Sequence, residues 1–337
     1  MTPLLKADNL GKELGLNNLW IKNDAANPTH SFKDRVVSVA ATKAVEFDFD
    51  TIACASTGNL AGATAAHGAK AGMNTMVFIP ADLERGKILG AAIFGSVVLV
   101  KGNYDDVNRL CSELGDDRRW AFVNINMRPY YSEGSKSIGY ELAEQLGWHA
   151  PKHVVVPVAS GSLFTKVYKG LQEFAQLGLI DNADTKMHIA QPFGCSPVAK
   201  AFIEGRAHPK PVVPDTIAKS LAIGSPADGM YSVGIANKTG GSGTIVPEKE
   251  IAEGMKLLAE TEGIFTETAG GVVISTLRRL AREGVIGPDE ETVALITGTG
   301  LKTIEAIADS VKTVTIDPTA RSFDEVVMPN HTGAPVS

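Results

Sequence analysis

The chain of 337 residues is 44% hydrophobic and 21% charged, so it can bury one large core or two moderate ones. Its formal net charge is -6, and its lysines and arginines are scattered among acids, so we expect neither nucleic acid nor a membrane surface as a partner. The three cysteines, Cys54, Cys111 and Cys195, have no C-x-x-C spacing, which argues against a disulfide framework and a zinc site.

From about residue 50, short β-rich runs alternate with helical stretches. Examples are TIACAST before LAGATAAHGAKAG, TMVFIPA before ERGKILGAAIFG, and SVVLVKG before YDDVNRLCSELG. This alternation is typical of βαβ units and a parallel sheet. The apolar run HVVVPVAS predicts a strand buried on both faces, and the pattern continues through TVALI to about residue 310. The sequence therefore predicts an α/β fold with a second sheet or lobe.

Two stretches depart from this pattern. Residues 208–229 are rich in Pro and Gly and poorly periodic, which predicts a long functional loop. Residues 318–337 are polar and contain Pro and Gly, which predicts an irregular tail. The start of the chain lacks the features of a signal peptide, and no segment approaches the roughly 18 consecutive apolar residues of a membrane span. We expect a cytoplasmic protein without a membrane segment or a bound metal.

The segment N-P-T-H-S-F-K-D-R at residues 27–35 is the first candidate for chemistry. Ser31 is a good N-cap residue, which would place Lys33 in the first turn of a helix, where the helix dipole disfavours a cation. Burial and a positive helix end lower the pKa of an amine, and a neutral amine can attack a carbonyl to form an imine. The alternative is a solvent-exposed lysine in a weak ion pair.

Three further segments place small polar residues after predicted strands. Residues 56–59 read S-T-G-N, residues 159–163 read A-S-G-S-L, and residues 297–300 read T-G-T-G. Ligands of parallel sheets lie beyond the carboxyl ends of the strands, and a small-residue turn that opens a helix can bind an anion through its backbone N–H groups. The alternative interpretation of each segment is a turn or helix cap without a ligand. None is a dinucleotide fingerprint, because G-x-G-x-x-G is absent.

Taken together and in order, these motifs resemble the tryptophan-synthase-β-like (fold type II) pyridoxal phosphate (PLP) enzymes, and among them the threonine synthases. The resemblance runs from Thr2 to about Lys302. It also covers E-G-S-K at 133–136, T-I-A-K-S-L-A-I-G at 216–224 and E-G-I-F at 262–265. It implies a two-lobed α/β fold with mainly parallel sheets flanked by helices and PLP in the cleft. The larger lobe would comprise residues 1–45 and 145–317, the smaller lobe residues 46–144, and the enzyme would be a homodimer.

The resemblance also implies roles for individual residues. Lys33 would form the imine with the cofactor and move protons, Asn59 would hold the ring 3-hydroxyl, and Thr297 would meet the pyridine nitrogen. The turn that would bind the cofactor phosphate consists of Ala159, Ser160, Gly161, Ser162 and Leu163. A threonine hydroxyl does not force protonation of the ring nitrogen, so the ring would be a milder electron sink.

In threonine synthases the reaction is conversion of O-phospho-L-homoserine and water to L-threonine and inorganic phosphate. The site must then bind a second phosphate through hydrogen bonds that the anionic charge strengthens. The candidate substrate-binding residues are Ser56, Thr57, Gly58, Asn126, Arg128, Ser135 and Lys136, although each could instead be a surface or helix-capping group. The alternatives are a serine/threonine dehydratase, a β-replacement synthase, or a PLP-binding protein without turnover.

Three positions depart from the family pattern. His30 stands where N-P-T-G-S-F-K-D-R has glycine, which could alter the loop before Lys33. The phosphate turn reads A-S-G-S-L where threonine synthases often have G-N-A-G-N, so Ser160 and Ser162 could contribute hydroxyls. The chain also begins almost directly at T-P-L, whereas many relatives have an N-terminal extension. The resemblance therefore does not predict dimer contacts that such an extension would make.

Overall fold

The computed structural model describes residues 1–56, 58–81, 85–102, 104–308, 311 and 313–328, with only the backbone of residues 85–87 and 105. The strands are β1 Leu4–Lys6, β2 Leu19–Asn23, β3 Thr51–Ala55, β4 Asn74–Pro80, β5 Ser96–Val100, β6 Ala121–Phe122, β7 His153–Pro157, β8 Lys186–Pro192, β9 Ser242–Val246 and β10 Thr292–Ile296. The α-helices are α1 Asp8–Leu14, α2 Lys33–Glu46, α3 Asn59–Lys70, α4 Arg85–Ala92, α5 Tyr104–Asp117, α6 Arg128–Glu133, α7 Lys136–Gln145, α8 Ser162–Gln176, α9 Pro197–Ile203, α10 Gly229–Lys238, α11 Glu248–Glu262, α12 Thr268–Arg282 and α13 Ala320–Val327.

The larger sheet has the order β1-β2-β10-β7-β8-β9, and all neighbours are parallel except β1 and β2. Its central strands β7 and β10 are buried along their whole length, as expected for apolar strands covered by helices on both faces. Because β2, β7 and β10 run in the same direction, the segments that follow them meet at one edge of the sheet. The predicted α/β fold with mainly parallel sheets flanked by helices is confirmed.

The smaller sheet has the order β5-β4-β3-β6 and is parallel throughout. Helices α2 and α3 bury small and β-branched side chains against this sheet: Val36, Val37 and Ala63 of the helices share one core cluster with Ile52 of β3 and Val77 of β4. Helix α2 therefore packs against the smaller sheet, although residues 33–45 belong to the larger lobe in the predicted division. The division into lobes at residues 45 and 145 stays a prediction.

The predicted loop and tail are partly regular. Residues 208–229 contain a short 3-10 helix at Lys219–Leu221 and otherwise lack regular structure until α10 begins. The tail was expected to be irregular, but Ala320–Val327 form α13. Thr319 is its N-cap residue, and the Thr319 hydroxyl accepts a hydrogen bond from the N–H of Ser322. In the part of the chain that the structure describes, no helix is both long and apolar enough to span a bilayer.

A buried charge network joins the N-terminal segment to α2 and α7. The Arg35 guanidinium donates to Asp24 at 2.6 Å and to both carboxylate oxygens of Glu141 at 2.7 Å. Lys22, which is 1% exposed, donates to Glu141 at 2.5 Å and to the Thr2 carbonyl at 2.9 Å. Burial raises the pKa of Glu141, but its hydrogen bonds from Arg35 and Lys22 prevail and lower that pKa to about 2. The network therefore holds the first turn of α2 against the larger sheet.

A second buried polar cluster lies near the amino-terminal ends of β7 and β8. His153 Nδ1 and His188 Nε2 are 2.8 Å apart, and the two rings stack with their planes 17° apart. His188 also contacts the Ser242 hydroxyl, and His153 contacts Glu290. Burial is the main cause that lowers the pKa of His188 to about 3, and burial also lowers the pKa of His153. The His188 imidazole is therefore neutral at physiological pH, and burial favours the neutral form of His153.

This pair should make the fold acid-sensitive. The folded-state pKa of His188 lies below its usual value of 6.5, so protonation favours the unfolded chain and stability falls as the pH drops from 6.5 towards 3. We expect a loss of up to about 1.4 kcal/mol per pH unit in this window, measured by urea unfolding between pH 7.5 and 5. The H188Q variant should lose less stability over that range than wild type. H149Q, which removes an exposed histidine, serves as control, and equal slopes for H188Q and wild type would contradict the prediction.

Candidate functional site

Lys33 is the first residue of α2, so its predicted place in the first turn of a helix is confirmed. The prediction that Ser31 is the N-cap is wrong, because Phe32 occupies that position and no side chain caps the helix. Ser31 instead pairs with Gly298 in a β-bridge, and its hydroxyl accepts from the Lys33 N–H at 3.4 Å. The tertiary contact with Gly298 therefore delays the helix by one residue.

Three loops are joined by backbone hydrogen bonds around Lys33. The N–H of Phe32 donates to the Thr297 carbonyl at 2.9 Å, and the N–H of Thr299 donates to the His30 carbonyl at 3.1 Å. The N–H of Glu267 donates to the Gly298 carbonyl at 3.0 Å. The segments before α2, before α12 and after β10 therefore form one unit at the carboxyl edge of the larger sheet.

His30, the residue that stands where the family pattern has glycine, has a φ of 60°. This left-handed conformation favours glycine and costs other residues on the order of 1 kcal/mol. The backbone bond from Thr299 to the His30 carbonyl helps to hold the loop in this conformation. The loop thus has the shape that glycine would adopt most easily, although histidine is present.

The Lys33 ammonium lies between aromatic side chains. Its Nζ donates to the Tyr131 hydroxyl at 2.7 Å and lies 4.3 Å from the centre of the Phe32 ring. Tyr131 belongs to α6 and is 8% exposed. Tyr131 was not among the predicted site residues, because nothing in its local sequence indicates that α6 reaches the start of α2. The contact excludes water from one side of the lysine and gives it a hydroxyl partner.

Asn59 and Thr297, both predicted to face a ring, converge on Glu267. Thr297 Oγ1 donates to Glu267 Oε1 at 2.9 Å, and Asn59 Nδ2 donates to Glu267 Oε2 at 2.8 Å. Lys302 Nζ donates to Asn59 Oδ1 at 3.0 Å and to the Thr29 carbonyl at 2.5 Å. Burial lowers the pKa of Lys302, while the charge of Glu267 opposes that change. The structure thus brings together residues from four distant segments.

Glu267 and Lys302 were not predicted as site residues. Glu267 lies two residues after E-G-I-F, and Lys302 ends T-G-x-G-L-K, so both adjoin motifs that carry the family resemblance. Their position beside those motifs is the signal that could have identified them. Their partners could not have been assigned, because the contacts join residues 208 and 243 positions apart in the chain.

The predicted phosphate turn, Ala159 to Leu163, follows β7 and opens α8. Gly161 has a φ of 102°, and a Cβ atom there would lie 2.5 Å from the Ser232 hydroxyl and 2.7 Å from the Asp228 carbonyl. No described residue accepts a hydrogen bond from the N–H groups of Ser160 or Gly161. The first N–H groups of α8 also lack partners within the helix, and the helix dipole there favours an anion. The turn is therefore suited to a phosphate.

The S-T-G-N segment is only partly described, because Thr57 lies outside the described residues. The Ser56 hydroxyl accepts from the N–H groups of Gly58 at 3.1 Å and Ala61 at 3.2 Å, so it shapes the turn that leads into α3. A Cβ atom added at Gly58 would have no heavy atom of the described residues within 4 Å. Ser56 thus has a structural function in addition to any contact with a substrate.

The remaining residues predicted to bind the substrate have different surroundings. Arg128 pairs with Asp228 at 2.7 Å and so contacts the loop that packs against Gly161. Asn126 accepts from the Phe122 N–H and donates to the Trp120 carbonyl, which stabilises a turn. Lys136 pairs with Glu133 and Glu173. Ser135 is buried before α7 without a side-chain cap bond.

A role for these residues in substrate binding stays a prediction. Arg128 has the most suitable surroundings, since its guanidinium adjoins the predicted phosphate turn through Asp228. The side-chain atoms of Asn126 are already occupied by the backbone, and Lys136 has carboxylate partners of its own.

Comparison with protein families gives a match to the model described as "Pyridoxal-phosphate dependent enzyme" over residues 1–298. The chain is 38% identical to the threonine synthase of Methanocaldococcus jannaschii over 311 residues, covering 90% of this chain and 76% of that protein. It is also 38% identical to the threonine synthase of Methanosarcina acetivorans, covering 94% of this chain and 78% of that protein.

Solved structures with the same fold include maize serine racemase, with a TM-score of 0.76 and 18% identity over 92% of this chain and 91% of that chain. A processed form of threonine deaminase isoform 2 from Solanum lycopersicum has a TM-score of 0.73 and 23% identity, covering 91% of this chain and 83% of that chain. At these identities the similarity concerns the fold alone.

Proposed function

The chain belongs to the pyridoxal-phosphate dependent enzymes, and on that basis we propose that it converts O-phospho-L-homoserine and water to L-threonine and inorganic phosphate. The observation that carries this proposal is the 38% identity to threonine synthases along 90% or more of the chain. The geometry around Lys33 supports the proposal, because it combines an amine, hydroxyl and amide donors, and an anion-binding turn in one region.

The described residues fit a PLP molecule. Lys33 is the amine that would link covalently to the cofactor aldehyde, and Ser160, Gly161 and the first turn of α8 would bind its phosphate. Thr297 and Asn59 would face the ring. Gly161 supports this fit, because a side chain at its position would fill the space between the turn and Asp228. Each of these residue assignments is part of the proposal.

When bound, PLP supplies an electron sink that makes loss of protons from the substrate carbons possible. The protein residues must then move those protons and hold the departing phosphate. Lys33 is the residue that we assign to proton movement at substrate Cα and Cβ, and Tyr131 at 2.7 Å is its hydrogen-bond partner. We assign Arg128 to binding of the substrate phosphate. The phosphate would then take the place of Asp228 as the partner of the Arg128 guanidinium.

The proposed reaction is tested with purified protein loaded with PLP and supplied with O-phospho-L-homoserine. We expect equal amounts of inorganic phosphate and threonine. If the protein instead deaminates serine or threonine and releases no phosphate, the substrate assignment is wrong and a dehydratase is indicated. If sulfide or another nucleophile replaces the β-substituent of an O-substituted serine, a β-replacement synthase is indicated.

The phosphate turn provides a separate prediction. We expect G161A to weaken PLP binding by about 5- to 150-fold, because a residue forced into this conformation costs roughly 1–3 kcal/mol and its Cβ would press on Ser232 and Asp228. The measurement is a titration of apo-protein with PLP, followed by absorbance. G178A is the matched control, since Gly178 also has a positive φ but an open Cβ position. Unchanged PLP affinity in G161A would exclude this turn as the phosphate site.

We further propose a homodimer in the cytoplasm that takes a small amino-acid substrate. Cys54, Cys111 and Cys195 are buried and free, which is compatible with a reducing compartment. Burial raises the pKa of the Cys54 thiol to about 12, so this group is unreactive at neutral pH. Analytical ultracentrifugation of the PLP-loaded protein tests the dimer, and a single species of monomer mass would contradict it.

A further inference from the structure

We propose that Asp228 decides which substrates gain access to Arg128. Its carboxylate occupies the guanidinium in the free enzyme and moves to the first turn of α10 when a phosphate group arrives. This inference rests on the proposed function, which assigns Arg128 to the substrate phosphate. It makes Asp228 a positioning residue for specificity, because it acts through Arg128 and does not itself bind the substrate.

Arg128 lies on the same short helix as the hydrogen-bond partner of Lys33. It is the first residue of α6, and Tyr131, which accepts from Lys33 Nζ at 2.7 Å, comes three residues later. Residues three apart are neighbours on a helix surface. The Arg128 side chain is 38% exposed, and its Nη2 donates to Asp228 Oδ2 at 2.7 Å. Among the described residues this is its only side-chain hydrogen bond, so the guanidinium has further donors for an anion.

The main chain of Asp228 is fixed against the turn that would bind the cofactor phosphate. Its N–H donates to the Ser160 carbonyl at 2.8 Å, and its carbonyl accepts from the N–H and the hydroxyl of Ser232 at 3.1 Å each. A Cβ at Gly161 would lie 2.7 Å from that same carbonyl. The side chain of Asp228 is 25% exposed, so it can change rotamer while its backbone stays in place.

The Asp228 carboxylate has a second set of partners within reach. Asp228 is the N-cap residue of α10, a position where aspartate usually accepts from the second or third N–H of the helix. Its side chain makes no such bond here. No described residue accepts a hydrogen bond from the N–H of Met230 or Tyr231, which are the second and third residues of α10. The carboxylate therefore pairs with Arg128 instead of capping the helix, and a change of rotamer exchanges one partner for the other.

This exchange selects substrates by charge. A phosphate monoester carries about 1.5 to 2 negative charges at neutral pH and three acceptor oxygens, so it competes well with a single carboxylate for a guanidinium. An amino acid with a neutral side chain leaves the Arg128–Asp228 pair intact. After the reaction, the return of Asp228 to Arg128 favours release of inorganic phosphate. The pair therefore discriminates against unphosphorylated amino acids and limits inhibition by the phosphate product.

The test is the binding of inorganic phosphate to PLP-loaded protein, measured by calorimetric titration at constant pH and ionic strength. D228N keeps the size and the capping ability of aspartate but removes its charge. We expect it to bind phosphate about fivefold more tightly than wild type, the equivalent of losing one partly exposed ion pair. The KM for O-phospho-L-homoserine should fall as well. The inhibition constant of L-2-aminobutyrate, which has no phosphate group, should stay the same.

Three further variants separate this effect from a general change in charge or a loss of folding. D8N removes an exposed aspartate from the first turn of α1 and should keep the wild-type Kd for phosphate. D228S is neutral and also a good N-cap, so it should behave like D228N. In an R128Q background, D228N should not tighten phosphate binding, because the effect acts through Arg128.

The outcomes distinguish this inference from the proposed function. If wild type makes threonine but D228N and D228S bind phosphate no more tightly than wild type, the inference is wrong and the proposed function stands. Tighter binding that persists in the R128Q background would also overturn the inference, because Asp228 would then act without Arg128. If wild type releases no phosphate from O-phospho-L-homoserine, the proposed function fails and the inference fails with it.

Discussion

The K33A variant is expected to lose threonine formation by a factor of at least about 10²–10⁴, the usual range for removal of a general acid–base group. Lys33 is the amine at the start of α2, bonded to Tyr131 and joined through Phe32 to Thr297. Its loss also removes the covalent link to the cofactor, so the imine absorbance should disappear. Phosphate release, threonine formation and the absorbance spectrum are measured on the same preparation.

K12A is the control, because Lys12 is exposed on α1. It should retain both the absorbance and the activity of wild type. Full activity in K33A would remove Lys33 from the mechanism. Loss of activity with an unchanged imine absorbance would show that another amine holds the cofactor.

The R35A variant is expected to lose about 3–5 kcal/mol in free energy of unfolding, the usual cost of removing one partner of a buried ion pair. The Asp24 side chain is 2% exposed and would lose the cation that pairs with it at 2.6 Å. Glu141 would retain Lys22 at 2.5 Å and the N-terminal amine of Met1 at 3.9 Å. Such a loss is a large fraction of the roughly 5–15 kcal/mol that stabilises most domains. Urea unfolding at pH 7.5 measures it.

Two variants calibrate this result. R321A removes an arginine that is 88% exposed and pairs with Glu325, and it should change stability by less than about 1 kcal/mol. R35K keeps a charge but cannot bind Asp24 and Glu141 together, so its stability should lie between those of R35A and wild type. Equal stabilities of R35A and R321A would show that the buried network contributes nothing beyond an exposed ion pair.

The sequence by itself determined the fold class and the positions of the main polar segments. The continuous apolar runs at 153–157 and 292–296 predict buried parallel strands, and both are β-strands of the larger sheet. Because ligand sites lie beyond the carboxyl ends of such strands, the small polar residues after them were correctly expected to lie at one edge. Lys33 was correctly placed in the first helical turn, although the expected N-cap, Ser31, is one residue earlier than the observed one, Phe32.

Only the tertiary structure decided which side chains those segments contact. Tyr131 meets Lys33 across 98 positions in the chain, and Glu267 meets Asn59 across 208. Likewise, a local motif cannot reveal that the Asn126 amide is bound to the backbone of its own turn or that Lys136 has carboxylates from two helices. Hydrogen-bond partners depend on how separate helices and strands pack, whereas sequence periodicity reports only which face of each element is buried.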